Sequence, residues 1–76
     1  MMDIQKALVH IGACESYKES AEAIVKGLVT LNGKRIDCYW KRLRGGYYAI
    51  NVKEKGLFRF NVRSGKVGNV KRGFKQ

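Results

Sequence analysis

The stretch from Ser16 to Arg35, SYKESAEAIVKGLVTLNGKR, constrains the fold more than any other part of the chain. Ser16 is suited to cap a helix, and the Glu19 carboxylate three residues later can reach back to the Ser16 amide. Gly27 predicts the end of this helix, because glycine tolerates the left-handed backbone that follows a last turn. The apolar face of the helix is predicted from helical spacing to hold Tyr17, Ala21, Ile24 and Leu28.

The second half of the same stretch predicts a hairpin. Val29–Leu31 has the composition of a short strand, and both residues of Asn32-Gly33 accept positive φ, as a two-residue hairpin turn requires. An earlier helix is expected from Asp3 to about Ile11, where Asp3 can cap the first turn and Gly12 can end the last. The chain therefore begins with two short helices joined by a short link.

From Thr30 onward the apolar period changes from 3.6 to 2, which indicates half-buried antiparallel strands. Glycine-containing turns separate these runs at residues 44–46, 54–56 and 64–65. The alternating apolar positions are Ile36, Cys38 and Trp40, then Tyr48, Ile50 and Val52, then Phe58, Phe60 and Val62. The predicted fold is α+β: two short N-terminal helices packed on a small antiparallel β-meander of about four to five strands, forming one domain over 1–70 with a basic tail over 71–76.

The first half of the chain resembles the RNA-binding domain first described in the fourth small-subunit ribosomal protein, also called the alpha-L motif. Its pattern has leucine-x-x-x-leucine-x-x-x-glycine, serine-arginine-x-glutamate-alanine, and isoleucine-x-x-glycine-x-valine-x-valine-asparagine-glycine-lysine. The matching residues are Ile4, Leu8 and Gly12, then Ser16 and Glu19, then Ile24, Gly27, Val29, Leu31, Asn32, Gly33 and Lys34. Tyr17 stands where the family has arginine, and Ser20 where it has alanine, so the scaffold matches better than the contact surface.

The resemblance implies a ligand class and some contact positions. Related domains occur in ribosomal proteins, pseudouridine synthases and tyrosyl-tRNA synthetases, which implies ribosomal RNA or tRNA as the ligand. Lys34 and Arg35 match the basic end of the motif, and Tyr17 and Lys18 occupy a family contact position.

The charge is distributed very unequally along the chain. The net charge is +10, yet residues 1–33 hold three lysines against four carboxylates, whereas residues 34–76 hold thirteen lysines or arginines against two. A surplus concentrated in this way favours a surface that binds a polyanion, most simply nucleic acid. The alternative is a small domain that is merely basic.

Three further basic features follow the hairpin. The outer sheet face is predicted to carry Arg59, Arg63, Lys41 and Lys53, with Tyr39 or Tyr47 available to stack on unpaired bases; a solvated face is an equal interpretation. Lys41, Arg42 and Arg44 adjoin Gly45-Gly46, which suits either a phosphate-binding loop or an ordinary hairpin turn. The tail, with Lys71 and Arg72, has few secondary-structure signals and is expected to order on a polyanion.

Other classes of function find little support. His10, Cys14 and Cys38 lack the number and spacing of zinc ligands, and buried reduced thiols are the simpler interpretation. No acid–base pair, P-loop or recognition helix is apparent, so we expect no enzyme, no cofactor, no small-molecule substrate and no sequence-specific binding to duplex DNA. No apolar run is long enough to cross a membrane and the N-terminus does not resemble a secretory signal, so a cytoplasmic location is expected.

Two functions remain from the sequence. The first is a non-catalytic module that binds structured RNA through its basic surface. The second is a protein-interaction module, such as an inhibitor of viral or mobile-element type, that docks on an acidic partner. A continuous basic band favours RNA, whereas cations dispersed around an exposed apolar patch favour a protein partner.

Overall fold

The computed structural model describes residues 2–73, in which two helices cover one face of a five-stranded antiparallel sheet. This confirms the predicted α+β class. The elements in chain order are β1 (Met2–Asp3), α1 (Ile4–His10), α2 (Tyr17–Val25), β2 (Val29–Leu31), β3 (Lys34–Arg35), β4 (Arg42–Leu43), β5 (Gly46–Val52), β6 (Gly56–Arg63) and β7 (Lys66–Gly73).

Both helices begin at the predicted caps. The Asp3 carboxylate accepts from the Lys6 amide at 2.8 Å, and the Ser16 hydroxyl accepts from the Glu19 amide at 3.1 Å. The Glu19 carboxylate accepts from the amide of Glu15 at 2.7 Å, not from that of Ser16, so the reciprocal bond lies one residue earlier than predicted. In the described part of the chain neither helix is long and apolar enough to span a bilayer.

The end of α2 fixes the start of the sheet. Gly27 has φ +76°, and the amides of Gly27 and Leu28 donate to the carbonyls of Ile24 and Ala23. These two bonds satisfy carbonyls at the end of the helix and turn the chain into β2. The buried face of α2 is formed by Ser20, Ala23 and Ile24, whereas Tyr17 is 48% exposed, so the predicted apolar stripe is displaced around the helix.

The strand order of the main sheet is β3-β2-β5-β6-β7. The chain from β5 to β7 is a meander, as predicted, but β2 pairs with β3 on one side and with β5 on the other. The segment between β3 and β5 therefore crosses over the end of β2, and β4 leaves the main sheet to pair with β1. The hairpin turn is as predicted, since both Asn32 and Gly33 have positive φ.

The prediction of a strand through Ile36, Cys38 and Trp40 is wrong. β2 has only three residues and offers β3 two pairs, Thr30 with Arg35 and Leu31 with Lys34, so the ladder ends there. Ile36 is buried, but Trp40 is 66% exposed, and the next buried side chain along the chain is that of Leu43. Lys41 consequently lies in a loop and not on the outer face of the sheet.

The boundary between the domain and a basic tail is also corrected. β7 continues to Gly73, and Lys71 and Arg72 pair with Arg59 and Phe58 of β6. A β-bulge at Asn69, which has φ +52°, lets this strand keep pairing despite weak strand propensity. The last three residues of the predicted tail, 74–76, lie outside the described residues.

A single apolar core lies between the helices and the sheet. Full burial of one large apolar side chain stabilises a fold by about 1.5–3 kcal/mol. The fully buried members of the core include Ile4, Leu8, Ile24, Val29, Ile50, Val52 and Phe58. Because these residues fix which side of each strand faces inward, they also fix which side chains stand on the opposite, helix-free face.

Candidate nucleic-acid interface

Most basic side chains of the described residues have no acidic partner. The one ion pair within residues 2–73 joins Lys55 Nζ to Glu19 Oε2 at 2.5 Å, and Lys55 Nζ also donates to the Ala13 carbonyl at 2.8 Å. The hydrogen bond from Lys55, helped by the Glu15 amide, lowers the pKa of Glu19, and the same bond raises the pKa of Lys55. Lys55 therefore ties the β5–β6 turn to α2, and no other lysine or arginine of residues 2–73 forms an ion pair with a carboxylate.

The first basic surface is a groove beside the β2–β3 hairpin. We call it the loop groove; it encloses about 780 Å³ and its charged and aromatic walls are Lys34, Arg35, Asp37, Trp40, Lys41 and Arg42. Trp40 is 66% exposed, and its ring meets that of Tyr39 edge to face at 5.0 Å. An exposed indole beside several cations suits a ligand that has both flat rings and negative charge.

The loop that carries Trp40 is held at both ends. Ile36 is buried and its amide donates to the Val29 carbonyl at 3.1 Å, and the Lys41 carbonyl accepts from the Ile4 amide at 2.8 Å. Between these anchors the chain has no strand partner. The indole is thus held outside the core by the fold, which a simple alternation of apolar residues does not reveal.

Arg35 has a structural contact of its own. A side chain at Gly27 would collide with the Arg35 guanidinium, so this cation lies directly against the C-terminal end of α2. A positive charge at that end of a helix is favourable, because the peptide dipoles make it partly negative. Arg35 lines the loop groove, and its guanidinium also lies against the end of α2.

The second basic surface lies on the helix-free side of β5, β6 and β7. We call it the sheet face; it consists of Tyr47, Ala49, Arg59, Asn61, Arg63, Lys66 and Lys71. Strand register places Arg59 directly opposite Lys71, and Arg63 directly opposite Lys66. Between these two cation pairs, Tyr47 of β5 pairs with Asn61 of β6, and the Tyr47 side chain is 83% exposed. The predicted positions of Arg59 and Arg63 on this face are confirmed.

A groove of about 560 Å³ crosses the sheet face. Its walls include Tyr47, Arg59 and Lys71, and small Ala49 leaves room at its floor. In the adjacent row Asn61 lies beside Gly68, and its Oδ1 is buried without a hydrogen-bond partner in the described structure. The Asn61 carboxamide therefore faces the backbone of β7 at Gly68.

Asn32 joins the two surfaces. It borders both the loop groove and the groove on the sheet face. Its amide donates to the Ala49 carbonyl at 2.7 Å, and its Oδ1 accepts from the Ala49 amide at 2.9 Å. The hairpin turn therefore forms a rigid corner, and the two basic surfaces are neighbours.

Four predicted residues lie outside both the loop groove and the sheet face. Tyr17 and Lys18 lie in the first turn of α2, where the Tyr17 carbonyl accepts from Gln5 Nε2 at 2.8 Å. Arg44 follows β4, and its carbonyl accepts from the Tyr48 hydroxyl at 2.7 Å. Arg72 lies over the Phe58 ring at 5.2 Å and donates to the Lys55 carbonyl at 3.4 Å.

Sequence reasoning missed Trp40 and Lys66 as surface residues. The alternating pattern of residues 36–40 predicts a strand in which the ring of Trp40 is buried. Lys66 follows the two-residue turn at Ser64-Gly65, both of which have positive φ. A tight turn of this type places the residues on either side opposite each other. This signal was available to pair Lys66 with Arg63.

The cysteines and the histidine do not form a site. In the part of the chain that the structure describes, no three side chains of His, Cys, Asp or Glu come together to hold a metal ion. Cys14 is buried, and this burial raises the pKa of its thiol. A thiol of this kind is a poor nucleophile at neutral pH.

Comparisons with protein-family models, with curated proteins and with solved structures found no match to this chain.

Proposed function

We propose that this protein is a non-catalytic module that binds structured RNA, of the ribosomal or transfer RNA class, in the cytoplasm. The observation that carries the proposal is the joining of two basic surfaces at Asn32, each of which has an exposed aromatic ring among cations without acidic partners. Trp40 supplies the ring of the loop groove, and Tyr47 that of the sheet face.

The physical chemistry of RNA supports this combination. Phosphates account for most of the affinity of such complexes and are neutralised by lysine and arginine, which makes binding strongly dependent on salt. Unpaired bases in loops and bulges stack on aromatic side chains. Lys34, Lys41, Arg42, Arg59 and Lys71 would bind phosphates, and Trp40 and Tyr47 would stack.

An acidic protein partner is the second candidate. Its specific support is the large exposed aromatic surface of Trp40 and Tyr39, since such residues are enriched where proteins meet. The two candidates differ in salt dependence and in the need for unpaired bases.

Binding to labelled nucleic acids over a salt series tests the proposal. Fluorescence anisotropy would compare an RNA hairpin, a DNA duplex of the same stem sequence, and a single-stranded RNA. We expect preference for the hairpin and a steep salt slope. The emission of Trp40, the single tryptophan, should also change on binding, because its exposed ring lines the loop groove.

Lys34→Gln with Lys41→Gln should weaken binding to the hairpin and reduce the salt slope. Lys6→Gln with Lys26→Gln removes the same charge from the helical side of the molecule, where neither lysine borders the two grooves. That pair should have a smaller effect. Weak and equal binding to all three nucleic acids would refute the RNA assignment and favour a protein partner.

A further inference from the structure

We propose that the sheet face is a subsite for an unpaired stretch of RNA, with one base stacked on Tyr47 and phosphates bound by Arg59 with Lys71 and by Arg63 with Lys66. This inference rests on the proposed function and specifies which part of an RNA reaches which surface. The helical stems of the RNA would bind to basic residues outside the sheet face.

The arrangement of cations in rows is the first support. Directly opposed residues of an antiparallel pair have Cβ atoms about 4.5–5.5 Å apart, and like charges at such positions destabilise the sheet. The β6–β7 hairpin nevertheless places two cations together twice, at Arg59 with Lys71 and at Arg63 with Lys66. No carboxylate in the described structure forms an ion pair with any of the four. An anion bound between each pair would relieve this repulsion.

The spacing of the rows is the second support. Arg59 and Arg63 are four residues apart along β6, a separation of about 13 Å at the usual rise of a strand. Tyr47 and Asn61 occupy the row between them. The face thus has two cation pairs on β6 and β7, with the ring of Tyr47 on β5 beside the row between them, so a strand that spans both pairs would contact them through phosphates that are not adjacent and could place a base on Tyr47.

The exposure of Tyr47 is the third support. Its side chain is 83% exposed on a part of β5 that pairs with β6 but extends beyond the last pair with β2, where a large ring gains little from the fold. It lines a groove of about 560 Å³ that Arg59 and Lys71 also line. Small Ala49 and Gly68 keep the centre of the face low, so a planar group can lie against the ring.

The same features favour a single strand over a duplex or a protein. A duplex keeps its bases stacked on each other and would leave Tyr47 without a partner. A folded protein would have to present carboxylates and an apolar surface in the same alternating rows. An unpaired RNA segment presents negative phosphates and flat bases along one chain, because each nucleotide of its backbone carries both.

A pair of RNAs that differ only in the loop tests the inference. One is a hairpin whose open loop contains the fluorescent base 2-aminopurine, and the other is a blunt duplex of the same stem. We expect the wild-type protein to quench the 2-aminopurine emission. Tyr47→Ala should remove the quenching and weaken binding to the looped RNA by about 5- to 150-fold, the range for the loss of one base–aromatic stack. Binding to the blunt duplex should change little.

Two companion variants separate the ring from the charges. Tyr47→Phe keeps the ring and should retain the quenching and most of the affinity. Arg59→Gln with Lys71→Gln removes one cation row and should lower the slope of log K against log salt by about 1.4, at about 0.7 for each phosphate contact to a single strand. Lys6→Gln with Lys26→Gln is the charge-matched control and should lower it by less.

The outcomes are distinguishable from failure of the proposed function. If Tyr47→Ala binds the looped RNA as the wild type does while Trp40→Ala does not, the unpaired bases lie in the loop groove, and the inference fails although the RNA function stands. If the looped RNA is not preferred over DNA at any salt concentration, both fail. Circular dichroism of each variant confirms that a loss of binding does not reflect unfolding.

Discussion

At the scale of single residues, the basic side chains fall into two groups that composition alone does not separate. Lys55, Arg35 and Arg72 have contacts within the fold, with Glu19, Gly27 and Phe58 respectively, and Arg35 also lines the loop groove. The other group, which includes Lys34, Lys41, Arg59 and Lys71, lines the two grooves without acidic partners in the described residues. The second group, together with Arg35, is expected to control ligand affinity.

The Glu19–Lys55 pair makes stability depend on pH. The pKa of Glu19 is lowered in the folded state, so its contribution is present above the ordinary glutamate pKa and is lost as the pH falls through the lowered value. Lys55, whose pKa is raised, keeps its contribution until the pH rises past the ordinary lysine range. We therefore expect Glu19→Gln to flatten the acid limb of a plot of unfolding free energy against pH, measured by urea denaturation.

Glu22→Gln is the matched control for this pH dependence. It makes the same charge change on the same helix, and Glu22 has no ion pair within the described structure. Its acid limb should remain close to that of the wild type. If the unfolding free energy of Glu19→Gln falls as steeply with decreasing pH as that of the wild type, the pair contributes nothing to stability in solution.

At the scale of elements, α2, β2 and β3 act as one unit. Gly27 ends α2, the three residues of β2 follow, and the Asn32-Gly33 turn brings Arg35 back against Gly27. Because β2 is short, β3 is short as well, and the chain after Arg35 continues as the loop that carries Trp40. The position of the loop groove is therefore a consequence of where the helix stops.

Gly27→Ala tests this coupling. A side chain there requires positive φ, which destabilises a non-glycine residue by about 1–3 kcal/mol, and it must also displace the Arg35 guanidinium. We expect a loss of unfolding free energy of at least about 1 kcal/mol in urea denaturation.

Gly45→Ala is the control for the glycine substitution. Gly45 does not have positive φ, and an added Cβ would meet only the Val62 carbonyl at 3.5 Å, an ordinary contact. Its effect should stay within about 0.5 kcal/mol. Equal losses at the two positions would show that neither the backbone conformation nor Arg35 is important for α2.

At the scale of the whole molecule, charge separates the two layers. The helical layer belongs to the part of the chain with a slight acidic excess, and the sheet with its connecting loops holds the basic excess. Because the net charge is +10 on so small a protein, its positively charged side chains repel one another and destabilise the folded state. The cation rows of the sheet face concentrate this repulsion.

Salt should therefore stabilise the protein without ligand. Raising sodium chloride from about 0.01 M to about 1 M shortens the screening length from about 30 Å to about 3 Å, and the melting temperature should rise. Arg59→Gln with Lys71→Gln should melt higher than the wild type at low salt and respond less to added salt, because one row of opposed cations is gone. A lower melting temperature for this variant at low salt would mean that the row is not repulsive.

Local signals in the sequence identified the parts of the fold that depend on local physics. The caps at Asp3 and Ser16, the helix end at Gly27 and the turn at Asn32-Gly33 each depend on neighbouring residues, and all four were predicted. The strands β5 and β6 were predicted because alternation there matches a buried face.

The errors concern pairing between distant segments. Whether residues 36–40 form a strand depends on the length available in β2, and whether Lys71 belongs to a strand depends on β6. For the candidate site, charge placed Arg59 on the sheet face correctly, but the engagement of Arg35 and Arg72 could not be predicted. Their partners, Gly27 and Phe58, are brought close only by the completed fold.

If RNA binds between the opposed cations of the β6–β7 hairpin, as proposed above, it also affects the lifetime of the protein. A ligand that relieves their repulsion stabilises the folded chain by mass action, so resistance to proteases increases with occupancy. Chains made in excess of the ligand would open more often and be degraded first. The abundance of this protein would then follow that of its ligand without a separate regulator.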